Sequence, residues 1–132
     1  MTMTTIFTRI IRKELPGHFV WEDEQCVAIM TIQPVRAGHL MVIPRDEVDH
    51  WDDLDPEVAA HLMRVSQRIA RVQKRVYGCA RIGLIIAGLE VPHTHLHLIP
   101  TDTMSDLDFS RAVAADADTL AREAEKIRAA LP

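Results

Sequence analysis

Pro92-His93-Thr94-His95-Leu96-His97-Leu98-Ile99-Pro100 carries three of the chain's seven histidines at alternate positions. Side chains alternate between faces along a strand, so an extended reading puts His93, His95 and His97 on one face and Thr94, Leu96 and Leu98 on the other. The apolar face is then free to be buried while the imidazoles line a surface. A helix would scatter the same three residues, and Pro92 and Pro100 suit the brackets of a short strand better than the inside of a helix. Residues 93–99 are therefore predicted to be a strand.

Two kinds of site use such a row. Two or three imidazoles hold a metal when a carboxylate or thiolate completes the shell. Alternatively one imidazole attacks an electrophile such as phosphorus while its neighbours orient it, bind developing charge and handle protons. Histidines satisfied within a sheet are the plain third reading, which suits a single histidine better than three on one face. The lead-in Ala87-Gly88-Leu89-Glu90-Val91 favours phosphorus: Gly88 lets the backbone come close to an anion, and the N–H groups after it can face phosphate oxygens. A metal has no obvious fourth ligand nearby, because Glu90 sits across a proline.

The chain has 132 residues, 48% of them apolar, enough for one core and one domain. Its formal net charge of −4, without a visible basic patch, argues against nucleic acid or an anionic membrane as partner. Residues 1–17 lack the apolar core of a signal peptide and no apolar run reaches membrane-spanning length, so a cytoplasmic location is expected. Cys26 and Cys79 form no Cys-x-x-Cys pair and are expected to be reduced thiols.

Thr5 is placed to cap a helix with Ile6, Phe7, Ile10 and Ile11 at helical spacing, ended by Pro16-Gly17. Phe19-Val20-Trp21 and Cys26-Val27-Ala28-Ile29-Met30 read as a hairpin joined by the acidic turn at 22–25, and Leu40-Met41-Val42-Ile43 as a third strand stopped by Pro44. From Asp55 a long helix is well marked: Asp55 caps it, Pro56 opens it and Gly78 stops it. Val58, Leu62, Val65, Ile69, Val72 and Val76 give it one apolar stripe, with Arg64, Arg68, Arg71, Lys74 and Arg75 on the solvated side. Arg81–Ile86 reads as a strand apolar enough to be central. Residues 104–109 read as a loop, after which Ser110 is placed to cap a last helix over about 110–131. His18, His50 and His61 have no context and are expected to be exposed.

His93-Thr94-His95-Leu96-His97-Leu98-Ile99, with its lead-in Ala87-Gly88-Leu89-Glu90-Val91, resembles the signature of the histidine-triad superfamily. The likeness continues upstream through residues 6–16, Trp21-Glu22-Asp23-Glu24 and Pro34-Val35-Arg36-Ala37-Gly38-His39-Leu40-Met41-Val42-Ile43-Pro44-Arg45, so about residues 5–101 are covered within one domain spanning 1–132. The resemblance implies an α+β, HIT-like fold: a mostly antiparallel sheet of about five strands, a long helix, and shorter N- and C-terminal helices. It implies a hydrolase or nucleotidyl transferase acting at the α-phosphate of a purine nucleotide phosphoramidate, ester or anhydride. By resemblance His95 is the nucleophile, His97 donates to a non-bridging oxygen or serves the leaving group, and His93 orients the others.

The resemblance also assigns binding positions. Phe7, Ile10 and Leu15 would wall the nucleobase pocket, Gly88 would contact phosphate, and His39 would stand behind the triad. Thr31 takes the place of an acidic residue or asparagine that holds the ribose hydroxyls in many relatives, and can make fewer of those bonds. Leu89 replaces a glutamine that touches the bridging or leaving-group oxygen, and Thr101 replaces an arginine found in dinucleotide-cleaving relatives. Thr5, Thr8 and Glu47 stand where many relatives have a Cys-x-x-Cys and a histidine for structural zinc, so no metal and no cofactor are expected. In the family the long helix lies along a two-fold interface, so the resemblance also implies a homodimer. The losses at Leu89, Thr31 and Thr101 keep open a nucleotide-binding regulatory protein with little turnover, and the triad keeps open a metal-dependent enzyme.

Overall fold

Asp23 accepts hydrogen bonds from the amides of Gln25 and Cys26, both at 2.8 Å, and so closes the turn between two apolar runs. Those runs are β1 (Phe19–Glu22) and β2 (Cys26–Met30). The computed structural model describes residues 4–132. β3 (Leu40–Pro44), β4 (Arg81–Ile85) and β5 (Leu96–Thr101) complete an antiparallel sheet in the order β1-β2-β3-β5-β4. Three α-helices accompany it: α1 (Ile6–Ile11), α2 (Pro56–Tyr77) and α3 (Ala117–Ala130). The fold is the α+β arrangement that the sequence implies.

The sheet's two faces have separate cores. Leu62, Val65, Ile69 and Val72 of α2 and Leu120, Ala124 and Ile127 of α3 bury against Cys26, Ala28, Leu40, Val42, Leu96 and Leu98. On the other face Phe7 of α1 packs on Val27, Ile29, Met41 and Ile43. Met41 pairs with His97, so strand alternation puts His97 on the α1 face and its neighbours Leu96 and Leu98 under the long helix. Asp55 accepts the Glu57 amide at 2.8 Å to start α2, and Gly78, with φ of 60°, ends it. Gln73, fully buried, donates from Nε2 to the carbonyls of Gly38 (2.9 Å) and Leu98 (3.2 Å), tying α2 to the sheet. Gly38 has φ of +89°, and a Cβ there would lie 2.4 Å from the Tyr77 ring, so only glycine fits between helix and strand.

Several boundaries differ from the sequence-based expectation. β5 begins at Leu96, not at residue 93: the register that pairs Val42 with Leu96 sets residue 94 opposite Pro44, which has no N–H to give. Thr94 instead donates its amide and its hydroxyl to the Val48 carbonyl, both at 2.8 Å. The strand runs on to Thr101 through Pro100, which lies past Leu98, the last β5 residue that β3 reaches. β4 is an edge strand and not a central one: Ile82 packs on the core beneath α2, but Leu84 is 37% exposed, so an apolar run did not fix its position in the sheet.

α1 stops at Ile11, before the expected Pro16-Gly17, because Lys13 turns left-handed with φ of 63°. Residues 104–111 form two short 3-10 turns where a loop and then a helix were expected. Residues 113 and 115 then donate their amides to the carbonyls of Pro34 and Ile32, at 3.2 and 3.1 Å, so α3 starts only at Ala117, capped by Asp116. His61 is half-buried, bonded through Nε2 to Asp23 at 2.7 Å, and His18 is half-buried too; His50 is exposed as expected. Cys26 and Cys79 are buried free thiols.

Candidate active site

Each imidazole of the row is fixed by a different neighbour, and those neighbours set the tautomers. Nδ1 of His95 lies 2.7 Å from the His93 carbonyl. A carbonyl only accepts, so His95 carries its proton on Nδ1 and its lone pair on Nε2. The Val35 amide donates to Nδ1 of His39 at 3.1 Å, which leaves the proton of neutral His39 on Nε2. That nitrogen meets Nδ1 of His97 at 2.9 Å, so His97 accepts there and presents an Nε2–H. Nε2 of His93 donates to the Pro44 carbonyl and its Nδ1 accepts from the Thr5 hydroxyl, both at 2.8 Å. A ring nitrogen with a lone pair and one with a proton thus stand side by side on His95 and His97, whose centroids are 4.9 Å apart.

Burial keeps His39, His93 and His97 uncharged. It pushes the His39 pKa down to about 4. It pushes His97 to about 3, and neighbouring His39 and His95 add to the shift. His93 is lowered for the same reason, partly offset by its Pro44 bond and the Glu47 charge. At neutral pH the His97 Nε2–H is therefore a neutral donor.

Aromatic rings stand at both ends of the pair. Phe7 meets His95 edge-on at 4.9 Å between centroids and also touches His93 at 5.8 Å. At the other end Phe109 meets His97 at 4.8 Å and His39 at 5.9 Å. Phe109 is 41% exposed and rides on the 3-10 turn Phe109–Arg111. The segment before it is pinned by Arg36, whose Nη1 donates to Asp102 (2.9 Å) and Asp106 (3.0 Å). Phe109 escaped the sequence reading because an aromatic in a polar turn has no periodicity; its placement depends on an ion pair spanning the fold.

Of the other expected site residues, His39 does stand behind His97. Ile10 is half-buried against the Phe7 core, and Leu15 and Thr31 are half-buried. The Thr31 hydroxyl accepts the Gln33 amide at 3.4 Å. Gly88 has φ of +76°, a conformation that suits glycine in the loop leading to His93. Leu89, 94% exposed, packs on nothing. Thr101 is buried, with its hydroxyl on the Ile99 carbonyl at 2.7 Å.

Two groups of side chains invite a metal. At the start of α1, Thr5, Thr8, Glu47 and His93 come together, but a hydroxyl bonded to His93 and a second hydroxyl bonded to a carboxylate do not match the thiolates and imidazoles of structural zinc. Across the sheet, ligand atoms of Asp23, Cys26 and His61 lie within 4.8 Å of one another. Asp23 there already accepts from the Trp21 indole and His61, and burial pushes the Cys26 thiol up to about 12, so a thiolate is disfavoured. This second group is a staple between the β1–β2 turn and α2.

Comparison with known proteins identifies the family. The chain is similar to a HIT-like protein from Bartonella henselae, 30% identical, with a TM-score of 0.85 and 99% of both chains covered. A zinc-bound histidine triad family protein from Mycobacterium smegmatis is also 30% identical, with a TM-score of 0.83, covering 98% of this chain and 94% of the other. The adenosine 5'-monophosphoramidase of Saccharomyces cerevisiae is 33% identical over 96 residues, 72% of this chain and 61% of the yeast protein. The HIT domain family model matches residues 12–104. With that match laid over the triad, its lead-in and all five strands of the sheet, the chain belongs to the HIT domain family.

Proposed function

We propose that the protein is a nucleotide hydrolase or nucleotidyl transferase that works at the α-phosphate of a purine nucleotide phosphoramidate, ester or anhydride, with His95 as the nucleophile. The observation that carries this reading is the His95 tautomer: with its proton held on the His93 carbonyl, its Nε2 lone pair is free to attack. Relatives support it, since a yeast protein of this family is named an adenosine 5'-monophosphoramidase.

In the first step His95 Nε2 forms a bond to phosphorus, and the bond from phosphorus to the leaving nitrogen or oxygen breaks with its electron pair. The ring becomes a nucleotidyl-imidazolium, whose Nδ1–H stays on the His93 carbonyl. The leaving atom takes a proton from solvent, while His97 Nε2–H donates to the charge that develops beside it. Water then bonds to phosphorus, the ring departs neutral, and a water proton returns to solvent. Splitting one displacement into two is the advantage of a covalent route. Phe7, Ile10 and Leu15 are proposed to wall the base, with Gly88 and Leu89 beside the phosphate, Thr31 at the ribose, and His39 and His93 as orienting groups.

The proposal includes one domain, a cytoplasmic location, and a homodimer through α2 and the exposed edge of β4, where Met63 and Leu84 are open to solvent. Among the described residues no helix is long and apolar enough to cross a membrane. The exposure of Leu89 favours one second reading, a nucleotide-binding regulatory protein with slow turnover, because no side-chain donor stands at that position. Incubation with an adenosine phosphoramidate separates the two. Hydrolysis that falls by about 10³-fold or more in His95→Ala, with 5'-AMP still bound, is the expected outcome; binding without turnover in the wild-type protein would leave the regulatory reading.

A further inference from the structure

We infer that Thr5 and Glu47 are positioning residues for the triad: they hold His93 in one tautomer and so fix the carbonyl that aims His95. Every bond in this chain of contacts has a defined direction. Nε2 of His93 gives its proton to the Pro44 carbonyl, so Nδ1 is a lone pair and the Thr5 hydroxyl must donate to it. The same hydroxyl oxygen accepts the Thr8 amide at 3.2 Å, which sets its rotamer. Glu47 Oε1 then receives the Thr5 amide at 2.6 Å and the Thr8 hydroxyl at 2.7 Å. These contacts lower the Glu47 pKa, so it stays a carboxylate.

Two anchors for His93 therefore come from the end of β3 and the short connection that follows it: Pro44 directly, and Glu47 by way of Thr5. The ring is fully buried and both its nitrogens are engaged, so it has no free atom to offer a substrate. What His93 does contribute to the neighbouring ring is its main-chain oxygen, 2.7 Å from His95 Nδ1. A shift of His93 moves that oxygen, frees the His95 ring to rotate, and lets its proton sit on the wrong nitrogen. Since these four side chains satisfy one another and do not fit a zinc site, hydrogen bonds here anchor α1 to the triad. A relative of the same fold is zinc-bound, and this chain's donor set departs from what such a metal takes.

The kinetic part of the test rests on the proposed hydrolysis; the spectroscopic part does not. Thr5→Val keeps the shape and removes the hydroxyl, whereas Thr5→Ser restores it. With an adenosine phosphoramidate, Thr5→Val is expected to lower kcat by about 10- to 100-fold with KM within about twofold of wild type, and Thr5→Ser to recover most of the loss. In ring ¹⁵N spectra His93 is expected to be protonated only at Nε2 in the wild type and to show mixed tautomers in Thr5→Val. Unchanged kcat, or a Thr5→Ser variant as slow as Thr5→Val, overturns the inference, and so does a His93 ring pattern identical in wild type and Thr5→Val. Should Thr5→Val fail to fold, Glu47→Ala, altered on an exposed side chain, is read against the same two criteria. If the wild type turns over no nucleotide conjugate, the proposed function fails, while the ring spectra still decide the positioning role.

Discussion

At residue scale the site is a set of tautomers. An imidazole in water has two near-equivalent neutral forms, and a nucleophile needs one of them. A single carbonyl selects that form for His95, and a chain from the Val35 amide through His39 selects the complementary form for His97. In the proposed mechanism His39 is thus a positioning residue, and burial holds its ring neutral. Replacing it by phenylalanine keeps the bulk and removes the donor to His97 Nδ1. The expected result of His39→Phe is a fall in kcat of about tenfold, with binding of 5'-AMP little changed, measured by steady-state kinetics beside equilibrium titration. The sequence announced the three histidines and His39. It gave no sign that a residue from the first helix, Thr5, bonds to His93 across 88 positions of chain.

At the scale of elements, short turns hold what long helices do not. α2 and α3 bury apolar stripes and contribute no ring to the row, while Phe7 comes from a six-residue helix and Phe109 from a three-residue turn. Caps and ion pairs keep such pieces in place: Asp108 accepts the Ser110 amide at 2.9 Å, and Arg36 grips Asp102 and Asp106. Because Phe109 touches His97 and is partly open, its removal should weaken the wall beside the departing group and leave the fold intact. For Phe109→Ala we expect kcat/KM to drop about tenfold for an aromatic amide of AMP and much less for the unsubstituted phosphoramidate, with a melting temperature close to wild type. Equal losses on both substrates would place Phe109 elsewhere than against the leaving group.

For the molecule as a whole, burial of uncharged histidines makes the fold sensitive to acid. The unfolded chain takes up protons on His39, His93 and His97 near pH 6.5, whereas the native rings resist protonation down to about pH 4 for His39 and about 3 for His97. Unfolding therefore binds protons in that window, and stability is complete above about pH 6.5 and falls as the pH is lowered through it. Urea unfolding at pH 7.5 and pH 5 should differ by about 2 kcal/mol for each ring held neutral, about 4 kcal/mol for His39 and His97 together, and by about half of that in His39→Phe. The depressed carboxyl of Asp23, held by the Trp21 and His61 bonds and backbone amides, adds a further loss only at lower pH. A midpoint that does not move between pH 7.5 and 5 would mean the rings are hydrated or already charged.

Patterns of two, three and four residues carried much of the architecture: alternation set His97 opposite Leu96 and Leu98, Asp55 and Gly78 bounded the long helix, and the stripe through Leu62, Val65, Ile69 and Val72 named its buried side. Each of these depends on contacts within a turn or along one strand, so it is written locally. The start of β5, the edge position of β4, the late onset of α3 and the partners of every imidazole depend on which distant segments meet. Whether Pro44 lies opposite residue 94, or Glu47 beneath Thr5, is a property of strand register and chain closure, and no short stretch of sequence contains both members of those pairs.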